Sequence, residues 1–138
     1  MFDNLFSKCE ELGNVKGRIY FSGLHFRHRK VWYPGTSLSR RAIVSLNRIR
    51  CGHSSLRESL FYFKIVDSPL CETCNTPESV DHIFWACSRF TTQRIKFMRA
   101  IINCCKIFPW PVISLLALRN VEVTCSIATF IDEMHIFI

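Results

Sequence analysis

From residue 39 onward, apolar residues recur at helical spacing, and the runs are cut by recognisable start and stop signals. Ser39 precedes a run to Cys51 in which Ala42, Ile43, Leu46 and Ile49 share one face, and Gly52 follows as a left-handed stop. This predicts a capped helix with Arg41 and Arg48, two turns apart, on the opposite face, Arg40 nearby, and Arg50 leaning toward the apolar side. Ser55-x-x-Glu58 has the form of a capping box and predicts a second helix with Leu56, Leu60 and Phe63 inward. A third is expected from about Arg89 to Asn103, with Phe90, Phe97, Met98 and Ile101 on one side and Arg89, Lys96, Arg99 and Asn103 on the other. Pro111 begins a fourth, short helix, and Glu122 to Met134 reads as a fifth with Ile127, Phe130 and Ile131 buried. The predicted fold class is mainly α.

Length changes this picture little. At 138 residues and 49% hydrophobic content the chain fits one domain, 1–138, with no room for a large catalytic domain besides. No internal repeat or low-complexity linker divides it. The longest apolar run, 107–118, is broken by Pro109, Pro111 and Ser114 and falls short of the ~20 residues that span a bilayer, so no membrane partner is expected. Eight cysteines would suit a secreted disulfide scaffold. However, no signal-peptide pattern opens the chain, and Cys9, Cys51, Cys104, Cys105 and Cys125 are scattered among apolar neighbours. The expectation is a reduced intracellular protein, nuclear or cytoplasmic, with Cys104 and Cys105 serving as packing residues.

Candidate chemistry concentrates in one place. Cys71, Cys74, His82 and Cys87 stand at C-x2-C-x7-H-x4-C spacing, the right residue types and separations to close around one Zn2+. Three thiols and an imidazole fill a tetrahedral shell and leave no position for water, so such a site organises backbone and hydrolyses nothing. The competing reading is that the cysteines are small buried hydrophobes and His82 an ordinary core histidine. Two details favour the metal. Cys71-Glu-Thr-Cys74 is a tight turn presenting two sulfurs to one point, and Asn75-Thr76-Pro77 then reads as a helix start, with Thr76 as N-cap and Pro77 first in the helix. Five residues advance an α-helix by about 500°, so His82 and Cys87 cannot share a face of one regular helix, which should end or distort before Cys87.

Charge is unevenly spread. Residues 1–57 hold eleven Lys/Arg against three Asp/Glu, residues 58–88 one against five, and residues 89–138 six against three, for a net +7. The cysteine-rich segment is therefore acidic, and contacts to RNA or DNA would fall to the flanks. Arg40, Arg41, Arg48, Arg89, Lys96 and Arg99 are the candidate nucleic-acid contacts, with His25, Arg27, His28, Arg29 and Lys30 beside Trp32 and Tyr33 as a further basic, aromatic stretch. The plainer alternative is that the basic stripes are solvated helix faces and Trp32 a core residue.

These residues also carry a resemblance. Lys16-Gly-Arg-Ile-Tyr20, Trp32-Tyr-Pro, Leu38-Ser-Arg-Arg-Ala-Ile43, Arg48-Ile-Arg-Cys-Gly-His53, Asp67-Ser-Pro-Leu-Cys71, Cys74 and Asp81-His-Ile-Phe-Trp-Ala-Cys87 occur in an order and spacing similar to the C-terminal region of non-LTR retrotransposon polyproteins. The region in question follows the reverse transcriptase and RNase H domains in Jockey- and I-type, LINE-like elements. The likeness covers about residues 16–90, with 91–138 following more loosely through Leu115-Leu-Ala117 and the last helix. It implies a zinc-binding accessory region that assists RNA or target-DNA handling, with Cys71, Cys74, His82 and Cys87 at the family's Cys/His positions. The polymerase and RNase H portion of the polyprotein is the implied protein partner. Trp32-Tyr33 stands where many relatives have Trp-Phe, and a start at Met1 suggests a fragmentary or domesticated copy.

Catalysis is not expected. No Asp-Asp pair exists for two-metal polymerase chemistry, and the four aspartates, Asp3, Asp67, Asp81 and Asp132, are too spread for RNase H chemistry. His53 is read as a helix-end imidazole meeting carbonyls, not as a general base. No small-molecule substrate is implied. The rivals to nucleic-acid binding are a structural zinc module for protein docking and a decayed element fragment.

Overall fold

The computed structural model describes residues 36–104 and 109–138, together with Lys8, Glu11, Leu12, Val15 and Tyr33. The expectations placed on Lys16–Tyr20, on His25–Trp32, and on Cys9 and Cys105 lie outside the described residues.

The first described helix, α1 (Arg40–Cys51), forms as its sequence signals require. The Ser39 hydroxyl accepts from the Ala42 N–H at 3.0 Å, satisfying an N-terminal donor that the helix cannot bond internally. At the far end Gly52 adopts φ 70°, ψ 22°, and its N–H and that of His53 reach back to Ile49 and Arg48. Ala42, Leu46 and Ile49 are buried, as expected, and so is Arg50.

The second helix, α2 (Arg57–Tyr62), corrects the local reading. Its capping box does not form: Ser55 is engaged by Arg48, and the Arg57 N–H is taken by the Glu78 carboxylate, twenty-one residues away in sequence. A nearly buried carboxylate at a helix N-terminus satisfies donor and dipole together, which exposed Glu58 cannot match. Nor does Phe63 point inward. It is exposed and stacked on His53, rings 5.0 Å apart and 12° from parallel. The helix stops because Lys64 turns left-handed, φ 58°, with its N–H on the Phe61 carbonyl and that of Ile65 on Leu60.

Residues 69–79 make a short hairpin-like loop, closed by an isolated antiparallel bridge between Leu70 and Pro77. Among the described residues there is no extended strand. A helical turn starts at Val80, widens to a π-helical turn over His82–Ala86, and gives way to a 3-10 turn, Ser88–Phe90. Helix α3 (Thr91–Ile101) therefore starts two residues later than the periodicity implied. Phe97 and Ile101 of α3 are buried and Met98 half-buried. Pro111 precedes α4 (Val112–Ala117), and Asn120 caps α5 (Val121–Met134), which buries Ile127, Phe130 and Ile131.

Helix α5 is the hub, packed against α3, α1 and α4. Its Phe130 meets Phe84 at 4.6 Å and Phe97 at 5.3 Å between ring centroids, and Phe84 meets Phe97 edge-on at 5.5 Å. Phe84 belongs to the π-helical turn, so the cysteine-rich segment is plugged into the helical core by an aromatic side chain with no exposed surface. A second tie is polar: Asp81 accepts from the Val112 N–H at 2.8 Å, capping α4. The fold is mainly helical and carries the Cys3His cluster on its flank. No helix among the described residues is long and apolar enough to cross a membrane.

Candidate metal centre

Two loops converge to build the cluster. In the first, Asn75 takes a left-handed conformation, φ 53°, and its N–H bonds the Cys71 carbonyl at 2.9 Å, folding Cys71–Cys74 into a knuckle that aims both sulfurs one way. The return leg corrects the predicted helix start. Thr76 lies in a bend and Pro77 in the bridge, and the Thr76 carbonyl accepts from the Cys71 N–H. Capping passes to Ser79, whose hydroxyl accepts from the His82 N–H at 3.0 Å.

The second loop solves the angular problem. The Cys87 N–H bonds the His82 carbonyl at 2.8 Å, a five-residue step, and Cys87 then turns to extended backbone, φ −60°, ψ 125°. Widening the turn carries Cys87 about once around from His82, so both side chains reach the same point. The expected distortion before Cys87 is thus present, as a π turn. Carbonyls loosened by such a turn need donors, and Arg94 on α3 supplies them. Its Nε donates to the Phe84 carbonyl at 2.7 Å, and Nη2 reaches those of Ile83 and Cys87. Sequence periodicity gave no sign of this role. Arg94→Ala is expected to destabilise the chain by about 2–3 kcal/mol, measured by urea unfolding, because charge-assisted bonds to part-buried carbonyls are lost together.

The ligand atoms of Cys71, Cys74, His82 and Cys87 all lie within 4.8 Å of one another. Cys87 Sγ is 3.9 Å from both Cys71 Sγ and Cys74 Sγ. A tetrahedral ion with ~2.3 Å sulfur bonds requires sulfurs about 3.8 Å apart, so the spacing fits a metal. It is far from the ~2.05 Å of a disulfide. His82 adds an independent sign. Its Nδ1 contacts the Thr76 hydroxyl at 3.2 Å, whereas Nε2 is shielded from solvent with no hydrogen-bond partner among the described residues. A Thr76 oxygen accepting from Nδ1–H leaves the Nε2 lone pair for an ion, and the orphaned atom is explained. Burial pushes the His82 imidazole below its ordinary value, which keeps it neutral and able to ligate near pH 7.

The surroundings are built for negative charge. The Ser88 N–H donates to Cys74 Sγ at 3.4 Å, and with the Ser88 hydroxyl it holds the Cys74 thiol down at about 7. Burial, with the neighbouring Cys74 and Cys71 thiols and against Arg89, pushes the Cys87 thiol up, a cost that a dication at the shared point would remove. Arg89 lies over the cluster, Nε 3.4 Å from Cys87 Sγ and Nη2 3.6 Å from Cys71 Sγ, and is paired with Glu78. Three thiolates around one dication would carry a net single negative charge, which the Arg89 guanidinium faces while it is shared with Glu78.

The residues expected to contact nucleic acid are not gathered into one stripe. Arg89 is turned to the sulfurs and Glu78, a placement that its sequence position could not reveal. Lys96 pairs with Glu133 of α5 at 3.2 Å. Arg41 donates to the Ile136 carbonyl at 2.8 Å, and Arg48 to Ser55 at 2.9 Å and to the Ile138 carbonyl at 3.3 Å. Arg40 and Arg99 are exposed. Cys104 is half-buried and packed against the core, and its thiol also lies 3.7 Å from both Glu122 and Asn120.

The four side chains and their supporting shell define a Cys3His group that could hold a metal ion, set on a mainly helical fold. No known family, curated protein or solved structure matches the chain.

Proposed function

We propose that this protein is a non-catalytic, zinc-stabilised helical module that binds RNA or DNA, and that it is part of, or derived from, a non-LTR retrotransposon reverse-transcription polyprotein. The observation that carries the metal half is the convergence of three sulfurs at tetrahedral spacing with the orphaned Nε2 of His82. Zinc favours this donor set, and four protein ligands close its shell against water, which makes the ion a structural clip. The nucleic-acid half is supported by the resemblance of residues 16–90, by the net charge of +7, and by the exposed cations Arg40 and Arg99.

A second reading has its own observation. Phe61, Tyr62, Phe63 and Ile65 are exposed on the rigid turn ending α2, with Tyr62 at 80%. Such a patch suits docking to another protein, for which the polymerase and RNase H portion of a polyprotein is the candidate partner. Salt separates the two readings. Binding through phosphates weakens steeply with ionic strength, and Arg99→Ala should lower the slope of log affinity against log salt by about 0.7 for single strands and 0.9 for duplex. Binding that is flat with salt, and lost in Tyr62→Ala, would instead select the docking reading.

A further inference from the structure

Helix α1 and the chain beyond α5 meet in an arrangement that the sequence did not announce. Residues 136–138 cross the outer face of α1 between Arg41 and Arg48, which stand two turns apart on the helix, about 10 Å along its axis. The Ile136 carbonyl accepts from Arg41 and a carboxyl oxygen of Ile138 accepts from Arg48, and Ile138 is wholly buried. Phe137, between them, is left pointing outward at 59% exposure. Its ring centroid is 5.6 Å from the Arg41 guanidinium carbon and 5.3 Å from that of Arg48. Neither guanidinium is paired with an Asp or Glu among the described residues.

An exposed ring bracketed by two guanidiniums, each held by an oxygen of residues 136–138, has a specific chemical complement. The ligand must offer a flat π surface next to anionic groups on a flexible backbone. An apolar protein surface supplies no anions, and duplex DNA keeps its base faces stacked out of reach. An unpaired nucleotide segment supplies both, the base to the ring and the flanking phosphates to the arginines.

We infer that Phe137, held between Arg41 and Arg48, is a stacking platform for an unpaired base of single-stranded RNA or DNA. This rests on the nucleic-acid reading above and deepens it: Arg41 and Arg48 act on phosphates at this one ring, not as members of a long stripe. The anchoring of Ile136 and Ile138 fixes the ring before the ligand arrives, so little ordering is required on binding. Because only the exposed ring takes part, it can be altered without disturbing the core.

The test uses the full zinc-loaded chain with short fluorescent single strands of RNA and of DNA, and the matching duplex, across a range of salt. Phe137→Ala should lose about 5- to 150-fold in single-strand affinity, while duplex affinity and melting temperature stay close to the parent's. Phe137→Leu keeps apolar bulk without a π face and should lose likewise, whereas Phe137→Trp should bind at least as well as the parent. Equal losses on RNA and DNA are expected of stacking; a loss on one alone assigns the platform to that strand type. If the parent binds with a steep salt slope and Phe137→Ala binds single strands equally well, the platform is refuted while the phosphate reading stands. An equal loss on duplex also refutes it. If the parent binds no oligonucleotide at low salt, the nucleic-acid reading itself fails and takes the platform with it.

Discussion

Protein purified under reducing conditions is expected to contain one zinc ion per chain, and the Cys87→Ser variant to contain none. Cys87 is the ligand to remove because its sulfur lies 3.9 Å from both other sulfurs and has no solvent exposure, so no alternative donor can take its place. The effect on folding should be large. Structural zinc contributes about 10–16 kcal/mol of apparent binding energy in small modules, comparable to or larger than the 5–15 kcal/mol net stability of a whole domain. Without the ion, the three thiols and the imidazole lose the charge they surround, and the turns of residues 69–90 rest on their hydrogen bonds and on Phe84 alone. Chelation should therefore reduce helical circular dichroism and restore it when zinc is added back. Metal analysis giving full zinc in Cys87→Ser, or a metal-free protein with unchanged spectrum and unfolding midpoint, would remove the assignment.

Phe84→Ala is the second large effect, a destabilisation of about 3–5 kcal/mol in urea unfolding. Phe84 is fully buried and meets Phe97 and Phe130 at once, so truncation leaves a cavity lined by two rings that cannot both move in to fill it. The same change should weaken zinc retention against a competing chelator, since Phe84 lies two residues from His82 in the π-helical turn. Tyr62→Ala is the internal control: an 80% exposed ring should cost within about 0.5 kcal/mol. A Phe84→Ala protein as stable as that control would mean that the cysteine-rich segment is not anchored in the helical core.

Some of this was legible in the letters for a physical reason. Helix α1 carries its start, its face and its stop within fourteen residues, Ser39 to Gly52, so the bonds that cap its two ends are local. The Cys3His cluster was legible because chelation constrains spacing as well as residue type. What was missed depends on partners far off in sequence. Ser55 and Glu58 look like a capping box, but Glu78 arrives from another loop, already nearly buried and paired with Arg89, and takes the helix end. Arg94 and Arg89 have the letters of surface residues on an amphipathic helix, yet the tertiary fold places one over loosened carbonyls and the other over sulfurs. The angular mismatch between His82 and Cys87 required a distortion, but whether the helix would stop or widen depended on Arg94 being there to receive the carbonyls. Phe137 had no local signal at all.

The hydrogen bond from Val112 to Asp81 sets the smallest piece of this protein that can be lifted out intact. A peptide trimmed to residues 67–90 would keep all four ligand side chains and look, on paper, like a portable metal-binding bead. It would leave behind the rings that receive Phe84, the arginine that receives the carbonyls of the π turn, and the helix end that Asp81 caps. Such a graft would chelate as a loose tether and present no defined surface to its new host. The shortest self-supporting unit is expected to run from Ser39, which caps α1, to at least Met134, where α5 ends.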